Sequence, residues 1–154
     1  MTVNAAQACP CGSGKAYQDC CQPLHQGALA SSPEALMRSR YAAFVLGLED
    51  YLAQSWHPDT RPEGPYCNPG TRWLRLEVEN SSADGDQGSV SFRACFSADG
   101  RFHQLAETSR FIKLDGHWRY LDGEAQWQTL QPGRNDNCPC GSGKKFKNAV
   151  ADGC

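Results

Sequence analysis

The sequence predicts an α+β fold, two helices packed on a four-stranded antiparallel sheet, from three observations. Apolar residues recur at helical spacing over 33–46, and from Arg72 onward the period drops to two. Asp99-Gly100 and Asp115-Gly116 then punctuate the second half as tight hairpin turns. With 154 residues the chain has room for one compact domain plus small appendages.

The first helix is framed at both ends. Ser32 is a suitable N-cap, Pro33 fits the first turn, and Glu34 favours the positive end of the helix dipole. Met37, Tyr41, Phe44, Val45 and Leu48 form its core face, and Gly47 stops it. A shorter helix is expected from Glu49 to Trp56, ended by Pro58. Residues 58–71 hold four prolines and two glycines and read as a loop or lid. Leu74, Leu76 and Val78 then alternate with Arg75, Glu77 and Glu79, which gives the first strand an apolar face. Val90, Phe92, Ala94 and Phe96 do the same for a strand near 88–98, and the two Asp-Gly turns lead to strands near 101–114 and 117–122. A curved sheet wrapped round a helix can enclose a pocket. Gln131 to Asn137 reads as a linker.

The ends of the chain carry a different chemistry. Cys9-Pro10-Cys11-Gly12-Ser13-Gly14-Lys15 is followed by Cys20-Cys21, and the same seven residues return as Cys138-Pro139-Cys140-Gly141-Ser142-Gly143-Lys144. Four soft ligands in so short a span suit zinc, which accepts four thiolates in a tetrahedron. Cys9, Cys11, Cys20 and Cys21 form the first expected site. A disulfide between adjacent cysteines, or across one residue, would be strained, and the odd count of nine cysteines leaves one unpaired. The alternative reading is a reactive or adventitiously oxidised cysteine cluster. Gly12 and Gly14 permit the positive φ of a tight turn, Lys15 offsets part of the thiolate charge, and Tyr17 is placed to pack over the site. With all four positions filled by protein the site is structural, and the knuckle should need its metal to fold while the central pattern supplies a core of its own. His25 is close enough to be a reserve ligand.

The second copy is incomplete. Cys138 and Cys140 are present, but Ala149 and Val150 stand where the second cysteine pair would fall, and Cys154 is a third thiolate at a different spacing. Arg134, Lys144, Lys145 and Lys147 make this tail locally basic, and could meet acidic protein or nucleic-acid phosphate; the other reading is a solvated charged tail.

The cysteine pattern resembles the SEC-C motif of the SecA preprotein translocase, in which it binds zinc and contacts the SecB chaperone and the ribosome. SEC-C motifs at both ends, around Leu36-Met37-Arg38-Ser39-Arg40-Tyr41, resemble the bacterial YchJ family. Tyr51-Leu52, Trp56-His57-Pro58, Ser109-Arg110-Phe111 and Trp118-Arg119-Tyr120 extend the likeness through Asp122-Gly123. The resemblance implies a central fold like the cone of nuclear transport factor 2 and cystatin-like proteins, flanked by small zinc knuckles. The implied division is an N-terminal knuckle over 1–25, a cone over 31–130 and the incomplete motif over 134–154. A family-like ending of Lys-Lys-Cys-Cys-Gly-stop, with one purine lost from its second lysine codon and a pyrimidine after the old stop, translates as Lys147-Asn148-Ala149-Val150-Ala151-Asp152, so residues 149–154 read as a frameshift product; the other reading is a genuine divergent tail in which Cys154 is a substitute ligand.

Arg38, Tyr41, His57, Glu107 and Arg110 are the candidates to line the cone, with His57 and Glu107 a possible acid–base pair. The competing reading pairs Arg38 and Arg110 with carboxylates as structural ties. No nucleophile elbow, phosphate loop or His-Glu-x-x-His helix is present, so catalysis is not the expected role. A net charge of −2 argues neither for nucleic acid nor for a membrane surface, and no apolar run is long enough to span a bilayer. Met1 to Ala8 lacks the features of a signal peptide, which leads to a cytoplasmic address where thiols stay reduced. The expectation is a cytosolic zinc-binding accessory protein whose knuckles dock a protein partner, possible contacts being ribosome, translocase or chaperone. The alternative is a small-ligand-binding protein or enzyme that uses the cone.

Overall fold

The structure, a computed structural model, describes residues 4–131 and 135–136. Three helices precede one antiparallel sheet: α1 (Cys21–His25), α2 (Pro33–Leu46) and α3 (Glu49–Gln54), then β1 (Arg72–Asp84), β2 (Gln87–Ala98), β3 (Arg101–Leu114) and β4 (His117–Leu130). The strands pair in sequence order, so every connection is a hairpin. This is an α+β fold, helices packed on one antiparallel sheet, with a cysteine knuckle at its N-terminal end.

α2 begins and ends where its sequence says. The Ser32 hydroxyl accepts from the Ala35 amide at 3.1 Å, and Gly47, in the left-handed region at φ 74°, closes the last turn. Its inner face carries Leu36, Met37 and Tyr41 into a core completed by Val90, Phe92, Ala94, Leu105, Phe111 and Trp118 from the sheet. Gly88 lets α2 approach closely: a Cβ there would lie 2.3 Å from Cγ of Pro33.

Two departures from simple periodicity matter. Trp73 pairs with Phe96 and Arg75 with Cys95, so Leu74 is an extra residue in a bulge. The bulge turns Trp73 toward the core in place of Leu74, while Leu76 and Val78 keep the inward positions that alternation predicts. β4 also runs eight residues beyond 122, to Leu130. That extension is mostly exposed on both faces and lacks apolar alternation, and its strand character comes from pairing with β3 as far as Phe102.

The knuckle is not a separate body. Cys9, Cys11, Tyr17 and Cys21 belong to the same buried cluster as Leu36, Met37 and Tyr41. The buried cluster runs on from the sheet to the knuckle, because α2 presents one side to the sheet and another to the knuckle. Cys138, Cys140 and Cys154 of the second motif lie outside the described residues, as does the 149–154 segment. Among the described residues no helix is long and apolar enough to cross a membrane.

Candidate metal centre and central cavity

Residues 8–16 fold back on themselves as a tight loop. Ala8 and Ala16 form an isolated antiparallel bridge, the Cys9 amide donates to the Lys15 carbonyl at 2.9 Å, and the Gly12 amide donates to the Cys9 carbonyl at 3.1 Å. Gly12 sits at φ 79°, where a side chain would be strained. This turn brings Cys9 and Cys11 together, and a short 3₁₀ turn over Tyr17–Asp19 returns the chain so that Cys20 and Cys21 face them.

The four sulfurs lie within 4.8 Å of one another. Cys11 Sγ is 3.5 Å from Cys20 Sγ, and Cys20 Sγ is 3.9 Å from Cys21 Sγ. A tetrahedral zinc–thiolate centre has sulfur–sulfur edges of about 3.8 Å, given Zn–S bonds of about 2.3 Å, so the donor set fits such an ion in both chemistry and spacing. Cys9, Cys11 and Cys21 are buried and Cys20 is half-buried. Crowding splits their proton affinities. The hydrogen bond with Cys21 drives Cys11 far below the ordinary thiol value, and its counterpart drives Cys21 far above it. The hydrogen bond with Cys11 pushes Cys9 up to about 11. Four neighbouring thiolates need a cation to coexist.

Two contacts clamp this knuckle to α2, Arg38 to Cys11 and His25 to Ser39. Arg38 donates through Nη1 to the Cys11 carbonyl at 3.0 Å, while its Nε holds Glu34 at 2.9 Å. Glu34 in turn accepts from Ser81 of β1 at 3.2 Å. His25 donates through Nε2 to the Ser39 carbonyl at 2.8 Å, which leaves Nδ1 to accept from the Tyr17 hydroxyl at 2.6 Å. Burial lowers the His25 pKa and so favours the neutral ring these contacts require. Both ring nitrogens are therefore occupied, and His25 is a brace rather than a reserve ligand. Tyr17, buried as expected, is its partner.

A second feature lies on the other side of α2, a cavity of about 300 Å³ inside the cone. Of the five candidates, Tyr41 and Glu107 line it; Arg38, His57 and Arg110 do not. Arg38 points to the knuckle because it lies about 200° round the helix from Arg40, which faces the cavity. His57 sits in the turn after α3, where its amide donates to the Tyr120 carbonyl at 2.7 Å and its Nδ1 accepts from the Asp59 amide at 3.1 Å. It is not brought together with Glu107. Arg110 is exposed and forms a two-pronged pair with Asp122 on β4, which raises the arginine pKa and lowers that of the carboxyl. The ion-pair reading thus describes Arg38 and Arg110.

The cavity's basic residue is one that the sequence reading passed over, Arg40. It is only 5 % exposed. Its guanidinium carbon lies 4.9 Å from the Trp56 ring centroid and 4.8 Å from that of Tyr120, and its Nη1 donates to the Leu52 carbonyl at 2.9 Å and to Ser55 Oγ at 2.6 Å. Desolvation lowers its pKa to about 10, still well above neutrality. The helical face 37, 40, 41, 44 was the available signal, since it sets Arg40 among Met37, Tyr41 and Phe44. Across the cavity, Glu107 accepts from Ser109 and, at 3.2 Å, from the Tyr120 hydroxyl. Gly123 makes room for this carboxylate, because a Cβ there would meet Glu107 Oε2 at 2.7 Å.

Comparison with known proteins places both features in context. A family model described as the YchJ middle NTF2-like domain matches residues 32–123, and the SEC-C motif matches residues 7–23 and 134–148. A UPF0225 protein of Vibrio parahaemolyticus is 41% identical over 162 aligned positions, spanning 92% of this chain and 97% of that protein. RPA3114, a SEC-C motif containing protein from Rhodopseudomonas palustris, has a solution structure that superposes with a TM-score of 0.69 at 39% identity, over 78% of this chain and 99% of that one. A crystal structure of a SEC-C motif containing protein from Psychrobacter arcticus gives a TM-score of 0.64 at 28% identity, over 97% of this chain and 98% of the other.

Proposed function

The chain belongs to the YchJ family of SEC-C motif proteins, and from this membership and its cysteine tetrad we propose that it is a cytosolic, zinc-binding accessory protein whose knuckle docks a protein partner. The observation that carries the reading is the tetrad itself, four sulfurs within 4.8 Å on a loop clamped to the central domain. Cys9, Cys11, Cys20 and Cys21 would hold the ion, and a filled thiolate shell leaves it a structural role. Three of the ligands are buried and Cys20 is half-buried, while Gly12, Gly14 and Lys15 are exposed. Metal binding would therefore fix the shape of a surface turn, which supports recognition of a partner rather than chemistry at the ion.

Native mass spectrometry of protein purified without added metal tests the first half, with one zinc per chain expected from this site. Zinc content unchanged by Cys9→Ser plus Cys20→Ser would overturn it. Binding to purified ribosomes and to SecB, the contacts the SEC-C resemblance suggests, tests the second half. Binding lost with Lys15→Glu in zinc-replete protein supports docking through the turn, and no binding to either removes those two partners. A second reading, in which the central domain binds a small ligand, is favoured by the 300 Å³ cavity and its buried Arg40.

A further inference from the structure

The buried cation of the cone has no counter-ion. Arg38, Arg75, Arg93 and Arg110 each pair with a carboxylate. Arg40 is only 5 % exposed, yet among the described residues no carboxylate comes within ion-pair distance of it. Its charge persists at neutral pH, supported by the Trp56 and Tyr120 rings and by the two bonds from Nη1. Buried charges are ordinarily paired, because leaving water is costly without an opposite charge alongside.

The remaining edge of this guanidinium has the shape of a carboxylate receptor. Leu52 and Ser55 occupy Nη1, while Nε and Nη2 donate to no partner among the described residues. These are the two nitrogens through which Arg110 takes both oxygens of Asp122, so the same chain holds an example of the fit. Trp56 Nε1 is sealed from any space that water could enter; the spare Arg40 nitrogens are not, and Arg40 lines the cavity. Beyond this edge the wall is apolar, with Phe44, Trp73, Phe92 and Leu105. The wall's other formal charge, Glu107, is half-buried, and its Oε2 already accepts from Ser109 and Tyr120. Its presence disfavours a second negative charge on a ligand, which counts against a phosphate monoester carrying about −1.5 to −2.

Resting on the reading that the cone binds a small molecule, we propose that its ligand is a small monocarboxylate with an apolar body. The carboxylate accepts two parallel hydrogen bonds from Arg40 Nε and Nη2, and the apolar body lies against Phe44, Trp73 and Leu105. The acid brings the counter-ion that the buried guanidinium lacks. A neutral amide of the same shape offers one acceptor and no charge, so it leaves the cation uncompensated.

Three probes of similar size and different charge test this on the full, metal-loaded chain: 4-methylbenzoate, 4-methylbenzamide and 4-methylphenyl phosphate. Titration calorimetry reads affinity, and the arginine Nε–H and tryptophan indole N–H resonances read contact. The benzoate is expected to bind at least about tenfold more tightly than either other probe and to shift the Arg40 Nε–H signal. Arg40→Lys keeps the charge but loses the two-pronged edge, and should weaken the benzoate about tenfold. If that variant fails to fold, the Arg40 signal of the unmodified chain, assigned through its proximity to the Trp56 and Tyr120 rings, still reports the contact. The ligand class is overturned, while the cavity reading stands, by an amide or phosphate that binds as tightly as the benzoate. The same follows if the benzoate shifts the Trp73 or Trp127 indole without moving Arg40, or if a folded Arg40→Lys keeps full affinity. If none of the three perturbs Arg40 or any cavity tryptophan up to its solubility limit, the cavity reading fails as well.

Discussion

Replacing Tyr17 with phenylalanine isolates the joint between knuckle and helix. The ring and its packing stay, and only the hydroxyl that donates to His25 Nδ1 at 2.6 Å is lost. His25 cannot turn away without breaking its other bond, from Nε2 to the Ser39 carbonyl at 2.8 Å. Its Nδ1 is then a buried acceptor with nothing to accept from, which costs about 1–3 kcal/mol. A chain of this length loses about 2–4 °C of Tm per kcal/mol, so the middle of that range corresponds to a drop of about 6 °C. The assay is thermal denaturation followed by circular dichroism, with zinc content measured on the same samples. One cooperative transition should move as a whole, and the metal should remain bound, since no ligand has been touched. In a His25→Leu background the same substitution should cost nearly nothing, because the partner is already gone. A shift below about 1 °C, or a melt that splits into two steps, would refute the view that the knuckle and the central domain share one core.

Other perturbations examine the rest of the structure. Stripping the metal with a chelator should lower the single transition rather than remove a minor early one. Metal held at a thousandfold above its Kd contributes about 4 kcal/mol, or about 8–16 °C, and an unchanged main transition would contradict this. Gly88→Ala should destabilise by about 1–3 kcal/mol in urea unfolding, since its Cβ would lie 2.3 Å from Pro33 Cγ; a neutral result would mean that α2 can retreat. The bulge in β1 predicts that Trp73→Ala costs about 3 kcal/mol and Leu74→Ala less than about 1 kcal/mol, and the reverse order would place Leu74 on the inner face.

The sequence by itself determined the local elements and the cysteine cluster. The Ser32 cap, the Gly47 stop, the two Asp-Gly turns and the four cysteines act over a few residues, and short-range rules suffice to read them. Alternation in β2 works for the same reason, as Val90, Phe92, Ala94 and Phe96 all turn inward. Only the tertiary structure decided what each polar residue faces. Arg38 and Arg40 are two positions apart, yet one faces the knuckle and the other the cone, since two positions on a helix are separated by more than half a turn. Glu107 and Arg110 differ likewise, one inside the cavity and one paired with Asp122 on the exposed side of the sheet. The bulge at Leu74 and the long polar extension of β4 depend on the partner strand, which no pattern within either segment records. Above all, the union of knuckle and cone rests on contacts such as Arg38 to Cys11, 27 residues apart. Such contacts join groups far apart along the chain, so they are fixed by packing and not by spacing in the sequence.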